Sequence, residues 1–305
     1  MELLKERGMF VKADDVQKLE HISYYRLKEF ARPLATTRKE NGQTIICYNG
    51  VSFSQVLTRY YQDKNLRINL LHAIEKIEVS LKTKVSYILG KHYGAFGYLN
   101  FSNWVNRNRY NRFEIEKKQY YFKRDLLDII SKSKNPELHR QDNLSKDGFP
   151  SVWLGIDLLM FGNLVSLIEL MNSRILRELA ALYDFKVKEL LSWVKCLNFI
   201  RNLCAHNSNI LDVKLKTAPV KRESWNEFLY IIRKGDSERP TNRFAIVLLI
   251  VIEFVRKIND SYRWNNIRSN LYAIRNSSDK NVQLLGFKDN NTSLNPDKII
   301  DYLEK

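Results

Sequence analysis

Apolar residues recur at steps of three and four through most of the chain, which is the spacing of one helix face. The longest stripe comprises Leu66, Leu70, Ile74, Ile77, Leu81, Val85 and Ile88. It predicts a long amphipathic helix that ends near Gly90, within a helix pair that begins at Phe53. A second stripe over 187–206 places Leu190, Leu197 and Ile200 on one face. We therefore predict an all-α fold in which these two long helices pack together.

Weaker patterns indicate the organisation of the remaining chain. Further helices are predicted over 10–34 (two, stopped by Pro33), from Val152 past the close-packing Gly162, over 223–234 and over 241–258. The helical period breaks at three places: 35–51, where Thr44–Tyr48 fit a short strand; a loop at 142–150; and a polar, loosely packed tail from Asn276. We expect an N-terminal helical module (1–50), a helical core (51–260) with a basic insertion near 101–150, and a C-terminal extension (261–305).

The chain is strongly basic, with a formal net charge of +16 and a pI of about 9.6. Such a charge favours a polyanionic partner, nucleic acid more often than an anionic membrane surface, although a lysine-rich surface can also occur without one. From Arg107 to Arg140 there are ten Lys or Arg against five Asp or Glu, interleaved with five aromatic residues. This mixture suits an RNA surface, with Lys117, Lys118, Lys123 and Arg124 as candidate contacts. A solvated helix whose aromatic residues face the core fits the same pattern equally well.

Several classes of protein are disfavoured by what the sequence lacks. The three cysteines form no CxxC pair and no Cys/His cluster, which argues against a disulfide framework and a zinc site. No carboxylate cluster suggests Mg²⁺, so we expect no metal and no cofactor. The first residues lack the apolar stretch of a signal peptide, and the longest apolar run, Phe244–Ile252, is too short to span a bilayer. We therefore expect a cytoplasmic protein with no membrane partner.

The segment "LNFIRNLCAHNSNI" (197–210) carries an unusual set of polar side chains at the end of an apolar helical pattern. Asn202 and His206 are four residues apart and so lie about 40° apart around a helix. Arg201 lies on another side, but its long side chain can reach the same end. A histidine can move protons near neutral pH, and an arginine can stabilise charge on phosphate oxygens. The three residues are therefore candidates for metal-independent cleavage of RNA.

The spacing of Arg201 and His206 occurs a second time, at Arg67 and His72. In that copy Ile68 follows the arginine, whereas Asn202 follows Arg201. The second copy also lies inside the long apolar stripe. We interpret it as a chance match.

The context of the first copy resembles the signature of HEPN ribonucleases, which is Arg, a polar residue, three further residues and His. Three other segments, "LEHISYYRLKEFARPL" (19–34), the stretch 53–89 and "PSVWLGIDLLMFGNLVSLIELM" (150–171), resemble bacterial abortive-infection (Abi) proteins of the AbiD/AbiF type, in the order of that family. The resemblance covers most of residues 10–215. It implies a HEPN-type helical bundle with N- and C-terminal helical extensions.

The resemblance also implies roles for individual residues. Arg201 and His206 match the catalytic pair and Asn202 the polar position, while Glu78 and Lys82 match a supporting acidic and basic pair. In HEPN proteins the basic member is usually arginine, so an ordinary surface ion pair is the competing interpretation of Glu78 and Lys82.

The implied activity is endoribonuclease cleavage by 2′-OH attack, in phage defence or a toxin–antitoxin system. We expect a homodimer that shares one cleft, because one chain offers one imidazole. The protein would bind or be controlled by RNA, including a small non-coding RNA. The alternative is a non-catalytic protein that assembles with a structured non-coding RNA.

Overall fold

The computed structural model describes residues 2–15, 17–40, 42–235, 237–275 and 284–288. Helices dominate these ranges, which confirms the predicted all-α class. The α-helices are α1 (Glu2–Glu6), α2 (Tyr24–Ala31), α3 (Phe53–Tyr93), α4 (Arg112–Lys132), α5 (Val152–Asp157), α6 (Phe161–Leu170), α7 (Ser173–Ala181), α8 (Val187–Ala205), α9 (Phe244–Ile258) and α10 (Asn265–Arg275). Two small antiparallel hairpins accompany them, formed by β1 (Thr36–Glu40) with β2 (Gln43–Cys47) and by β3 (Ile231–Lys234) with β4 (Ser237–Pro240).

Helix α3 is the axis of the fold, a continuous helix of 41 residues where the sequence predicted a helix pair from Phe53. It begins with a capping box: the Ser52 side chain accepts the Gln55 N–H at 3.2 Å, and Gln55 Oε1 accepts the Ser52 N–H at 2.8 Å. It ends at Gly94, whose positive φ of 74° closes the last turn. No glycine or proline interrupts the chain before Gly90, so nothing divides the helix in two.

Helix α9 lies at the centre of the main hydrophobic core. Every residue from Phe244 to Val255 is buried, and the helix contacts both α3 and α8. The longest apolar run of the sequence is therefore a core helix, apolar on all sides because it is enclosed on all sides. In the part of the chain that the structure describes, no helix combines the length and the apolar character needed to cross a membrane.

A second hydrophobic cluster lies at the N-terminal end of α3. It joins Leu4, Met9, Ile22, Leu27 and Phe30 to the first turns of α3. Beside it the β1–β2 hairpin confirms the predicted strand near Thr44–Tyr48. The sequence did not reveal β1, because its TTRKE segment is exposed along its whole length and so carries no alternation of apolar and polar residues.

Two predicted helical segments were wrong in part. Within 10–34 only α2 is an α-helix; Ala13–Asp15 and Gln17–Glu20 are short 3₁₀ turns. Within 223–234 a 3₁₀ turn at Glu223–Glu227 leads into β3. There Trp225, Phe228 and Leu229 are all buried, and their spacing of three and four mimics a helix.

The C-terminal part packs onto the long helix. Helix α10 contacts α3 and buries Ile267, Leu271 and Ile274 in the main core. The predicted loose tail from Asn276 lies largely outside the described residues. Its described piece, 284–288, buries Leu285 and Phe287 and forms a bridge to Leu229.

Candidate functional site

Helix α8 carries the Arg/Asn/His motif at its C-terminal end. Its buried face, which includes Leu197, Ile200 and Cys204, packs into the main core. Asn202 and His206 are exposed, and Arg201 is about one-third exposed. His206 caps the helix, and Asn207 follows in the left-handed region with φ of 58°. The apolar face thus fixes the helix, while the polar residues of its last turn face solvent.

Glu78 and Lys82 of α3 lie beside the motif. Lys82 Nζ is 3.1 Å from Glu78 Oε1, and Arg201 Nε is 3.9 Å from Glu78 Oε2. Lys82 also donates to the carbonyl oxygen of Asp157, at 3.1 Å. The side chains of Glu78 and Lys82 are about 15% exposed, so they are not an ordinary solvated surface pair. The carboxylate of Glu78 therefore lies between two cations, the nearby ammonium of Lys82 and the more distant guanidinium of Arg201.

The solvent-facing side of α8 forms a continuous stripe of exposed residues. Lys195, Phe199, Asn202 and His206 follow one another at steps of three and four. Phe199 is 41% exposed, a large apolar side chain next to the polar motif. No hydrogen bond to the His206 imidazole occurs among the described residues, so both ring nitrogens are open to a ligand or a partner.

A buried carboxylate of α3 holds the loop that follows His206. Asp63 is fully buried, and its Oδ1 accepts the N–H groups of Ile210 (2.8 Å) and Leu211 (3.1 Å). Its Oδ2 accepts Arg67 Nε at 2.6 Å, and Arg67 Nη1 donates to Asn207 Oδ1 at 2.8 Å. Burial raises the pKa of Asp63, and these hydrogen bonds oppose the rise. The network ties the first residue after the catalytic candidate His206 to the central helix.

An ion pair and a further arginine hydrogen bond hold the same loop. Arg59 of α3 pairs with Asp212, which also accepts Asn209 Nδ2 at 2.8 Å. Arg26 of α2 donates to the carbonyl oxygen of Asn207 at 2.5 Å. The N-terminal cluster therefore reaches the backbone directly after the motif, and the position of His206 depends on helices from both parts of the fold.

The second Arg/His match does not form a site of its own. Arg67 is buried and faces the loop at 207–211, whereas His72 is exposed and its Nδ1 is 3.0 Å from the hydroxyl of Tyr262. The two side chains contact different parts of the protein. Arg67 nevertheless serves the first copy, because it holds Asn207.

The other end of α8 is fixed by a partly buried arginine that pairs with two buried carboxylates. Arg222 donates to Glu189 Oε1 at 2.9 Å and to Glu253 Oε2 at 2.6 Å, and its guanidinium lies 5.0 Å from the centre of the Trp193 ring. Burial alone would raise the pKa of Glu189, but the hydrogen bond from Arg222 and that from the Lys186 N–H bring it below its ordinary value. Both ends of α8 are therefore anchored by buried charge.

The sequence contains one indication that Asp63 and Arg59 hold another part of the chain. If the apolar stripe of α3 is continued toward the N-terminus from Leu66 by steps of three and four, it reaches Asp63 and Arg59. Charged residues at core-facing positions require partners. The sequence alone did not show which loop supplies those partners.

Helix α4 displays the predicted basic and aromatic residues in two environments. Tyr110, which precedes the helix, and Phe122 pack against the core, whereas Phe113, Tyr120 and Tyr121 are 72%, 65% and 43% exposed. The candidate cations also differ. Lys117 is exposed, Lys118 lies over the Tyr110 ring, Lys123 lies over the Phe149 ring, and Arg124 pairs with Asp125 and lies over Tyr121. The segment thus combines a core-facing side with an exposed basic and aromatic side.

The described residues hold no group of three or more His, Cys, Asp or Glu side chains placed to bind a metal ion. All three cysteines are buried and unpaired. Burial raises the pKa of Cys196 and that of Cys204 to about 12.

No curated protein and no solved structure was found to match the chain. The profile of a protein family described as "Abi-like protein" matches residues 17–212, which is well over half of the 305 residues. The matched region contains α3 and α8, the Arg/Asn/His motif and the Asp212 that Arg59 holds. The chain therefore belongs to the Abi-like protein family.

Proposed function

We propose that this protein is a metal-independent endoribonuclease of the HEPN type that acts in phage defence or as a toxin in the cytoplasm. The observation that carries the proposal is the placement of exposed Asn202 and His206 and partly exposed Arg201 at one helix end, where buried charges hold the loop that follows. Rigid support of exposed polar side chains suits catalysis, which needs reacting groups held in one geometry. Membership of the Abi-like family supports a role in defence.

The three side chains can divide the reaction among them. The 2′-oxygen of a ribose attacks the adjacent phosphorus, the bond to the 5′-oxygen breaks, and the products are a 2′,3′-cyclic phosphate and a 5′-hydroxyl. An imidazole takes the proton of the 2′-OH or supplies the proton of the 5′-oxygen. The Arg201 guanidinium, whose Nε lies 3.9 Å from Glu78 Oε2, stabilises charge on the non-bridging oxygens. Asn202 binds the phosphate or fixes the imidazole.

The reaction needs both a base and an acid, and one chain supplies one motif histidine. We therefore include in the proposal a homodimer in which the α8 ends of two subunits face each other. The exposed stripe of Lys195, Phe199, Asn202 and His206 supports this arrangement, because Phe199 gives that face an apolar contact beside the motif. Mixing wild-type subunits with an excess of His206→Ala subunits tests it: if one cleft needs the imidazoles of both chains, mixed dimers should be inactive and the excess variant should suppress cleavage by the wild type.

RNA recognition is assigned to the exposed side of α4. Phe113, Tyr120 and Tyr121 can stack on unpaired bases, and the neighbouring lysines and Arg124 can contact phosphates. The same surface suits a small non-coding RNA that inhibits or assembles with the enzyme. It also favours the second candidate function, a non-catalytic protein that assembles with a structured RNA.

A cleavage assay separates the two functions. Purified wild-type protein is incubated with labelled RNA in EDTA and compared with His206→Ala, with His72→Ala as the matched control from the second Arg/His pair. We expect His206→Ala to lower the cleavage rate by about 10²–10⁴-fold, the usual contribution of a general acid or base. His72→Ala should cut like wild type, and all three proteins should bind RNA.

Two results would contradict the enzymatic proposal. One is cleavage by His206→Ala at the wild-type rate, and the other is cleavage that EDTA abolishes. Binding of RNA by the wild type with no cleavage of any RNA, including the RNA that copurifies with it, would leave the non-catalytic function in its place.

A further inference from the structure

A cavity of about 690 Å³ opens between α4, α6 and α8, beside the motif helix. Its volume is within the range of pockets that hold small ligands. Lys118, Tyr121 and Phe122 line it from α4, Asn163 from α6, and Asn198 from α8. Asn198 lies four residues before Asn202, so it is one turn, about 6 Å, from the motif along the helix axis and on a neighbouring side.

The side-chain oxygen of Asn198 is a buried acceptor without a donor. Among the described residues nothing donates a hydrogen bond to Asn198 Oδ1, although this atom is shielded from solvent. Buried polar atoms are nearly always paired, so an unpaired one at the wall of a cavity indicates a missing partner. Gly162 has no side chain to fill the space beside this oxygen; a Cβ at that position would lie 3.5 Å from it, in van der Waals contact.

The other walls combine aromatic rings with charged side chains. Tyr121 is 43% exposed and Phe122 is partly buried. Both acidic residues of the lining are already paired, Asp125 with Arg124 and Glu169 with Lys195. Lys118 lies 4.9 Å from the Tyr110 ring centre and has no carboxylate partner within the described part of the chain. The cavity therefore offers a stacking surface, amide groups and one unneutralised cation.

We propose that this cavity binds one unpaired nucleobase of the bound RNA, with the adjoining phosphate at Lys118. The base stacks on Tyr121 and its edge donates to Asn198 Oδ1, while Asn163 and the amide nitrogen of Asn198 supply donors to the same edge. This inference rests on the proposed function and gives it a specificity pocket: the base in the cavity selects the phosphate presented to Arg201 and His206.

Binding of single-stranded RNA tests the pocket. The probes are labelled adenylate, cytidylate and uridylate homopolymers of one length and an abasic ribose-phosphate strand of that length, all measured on His206→Ala protein to prevent cleavage. We expect this protein to prefer one homopolymer over the others and all of them over the abasic strand. Tyr121→Ala should weaken binding of the preferred homopolymer by about 5- to 150-fold, the usual range for one stacked base, and leave the abasic strand unaffected.

Asn198→Leu should remove the preference among the homopolymers, because it removes the hydrogen bonds that read the base edge. Phe113→Ala is the matched control, since Phe113 is an exposed ring of the same helix that does not line the cavity. It should leave the ratio of affinities among the homopolymers unchanged. The mononucleotides AMP, CMP and UMP are added as competitors, and we expect them to compete only weakly.

Three results would overturn the assignment. The first is equal affinity for every homopolymer and for the abasic strand. The second is an unchanged ratio of affinities among the homopolymers in both Tyr121→Ala and Asn198→Leu, when both variants are folded. If these variants also dissociate a dimer, the cavity belongs to the subunit interface instead. The third is tight binding of a free mononucleotide that does not compete with RNA. These experiments measure binding and not cleavage. They can therefore refute the base pocket while His206-dependent cleavage is observed, and they can support the pocket in a protein that does not cleave RNA.

Discussion

Replacing Asp63 by alanine is expected to destabilise the protein far more than the loss of a surface ion pair would. The change removes the partner of the buried Arg67 guanidinium and the acceptor of the Ile210 and Leu211 N–H groups. Breaking a buried pair by removing one member costs about 3–5 kcal/mol, because the other charge stays buried. Water that enters the vacated space can satisfy the two amides, so we expect the total loss to remain near 3–5 kcal/mol. That is a large share of the 5–15 kcal/mol typical of a folded domain.

Urea unfolding followed by circular dichroism measures this loss as a fall in the free energy of unfolding at constant m value. Glu116→Ala is the matched control, because Arg112 and Glu116 have the same i,i+4 spacing and a 2.8 Å contact, with side chains that are 92% and 57% exposed. It should cost no more than about 0.5 kcal/mol. Asp63→Asn, which keeps an oxygen for the two amides, should fall between them and gives a soluble protein if Asp63→Ala does not fold. A loss below about 1 kcal/mol in both Asp63 variants would refute the anchoring role.

Three further changes test other parts of the account. Glu189→Gln should lower the free energy of unfolding at neutral pH, as urea titrations at several pH values would measure. The difference from wild type should shrink as the pH falls below about 4.3, the ordinary pKa of a glutamate, because the lowered pKa of Glu189 stabilises the fold only where the carboxyl is ionised. Gly155→Ala should cost about 1–3 kcal/mol in the same assay, since a Cβ there would lie 2.3 Å from the Tyr98 hydroxyl oxygen. Charge reversal on the basic side of α4 should weaken RNA binding in filter-binding titrations; the residues reversed are Lys117, Lys118, Lys123 and Arg124. The plot of log affinity against log salt concentration should also become less steep, by about one for each lost phosphate contact. An unchanged slope would remove this segment from the interface.

Local patterns predicted the parts of the fold in which burial follows the helical period. The stripe from Leu66 to Ile88 and the apolar face of α8 are buried as predicted, and the two helices pack together. The pattern failed where another structure imitates that period. Trp225, Phe228 and Leu229 have helical spacing but belong to a 3₁₀ turn and the chain that leads into β3.

The residues of the candidate site could be predicted from the sequence, but the contacts that hold them in place could not. The motif at 201–206 follows from the types and spacing of its residues, and Glu78 was selected by the family resemblance. The contacts of Asp63 and Arg67 with the loop after His206 join positions about 140 apart in the chain, and a single sequence contains no signal for such a pairing. The cavity beside Asn198 likewise depends on how α4 packs, which the basic and aromatic pattern of that helix left open.

If His206 takes part in an attack by the ribose 2′-OH, removing that one hydroxyl from the substrate should block cleavage. The cleavage site of a short RNA is first mapped with wild-type protein in EDTA, and the RNA is then remade with a single 2′-deoxy nucleotide on the 5′ side of that site. The deoxy substrate should be bound but not cut there, and the unmodified RNA should yield a 2′,3′-cyclic phosphate and a 5′-hydroxyl only when His206 is present. Cleavage of the deoxy substrate at the same position, or products with a 5′-phosphate, would contradict this mechanism.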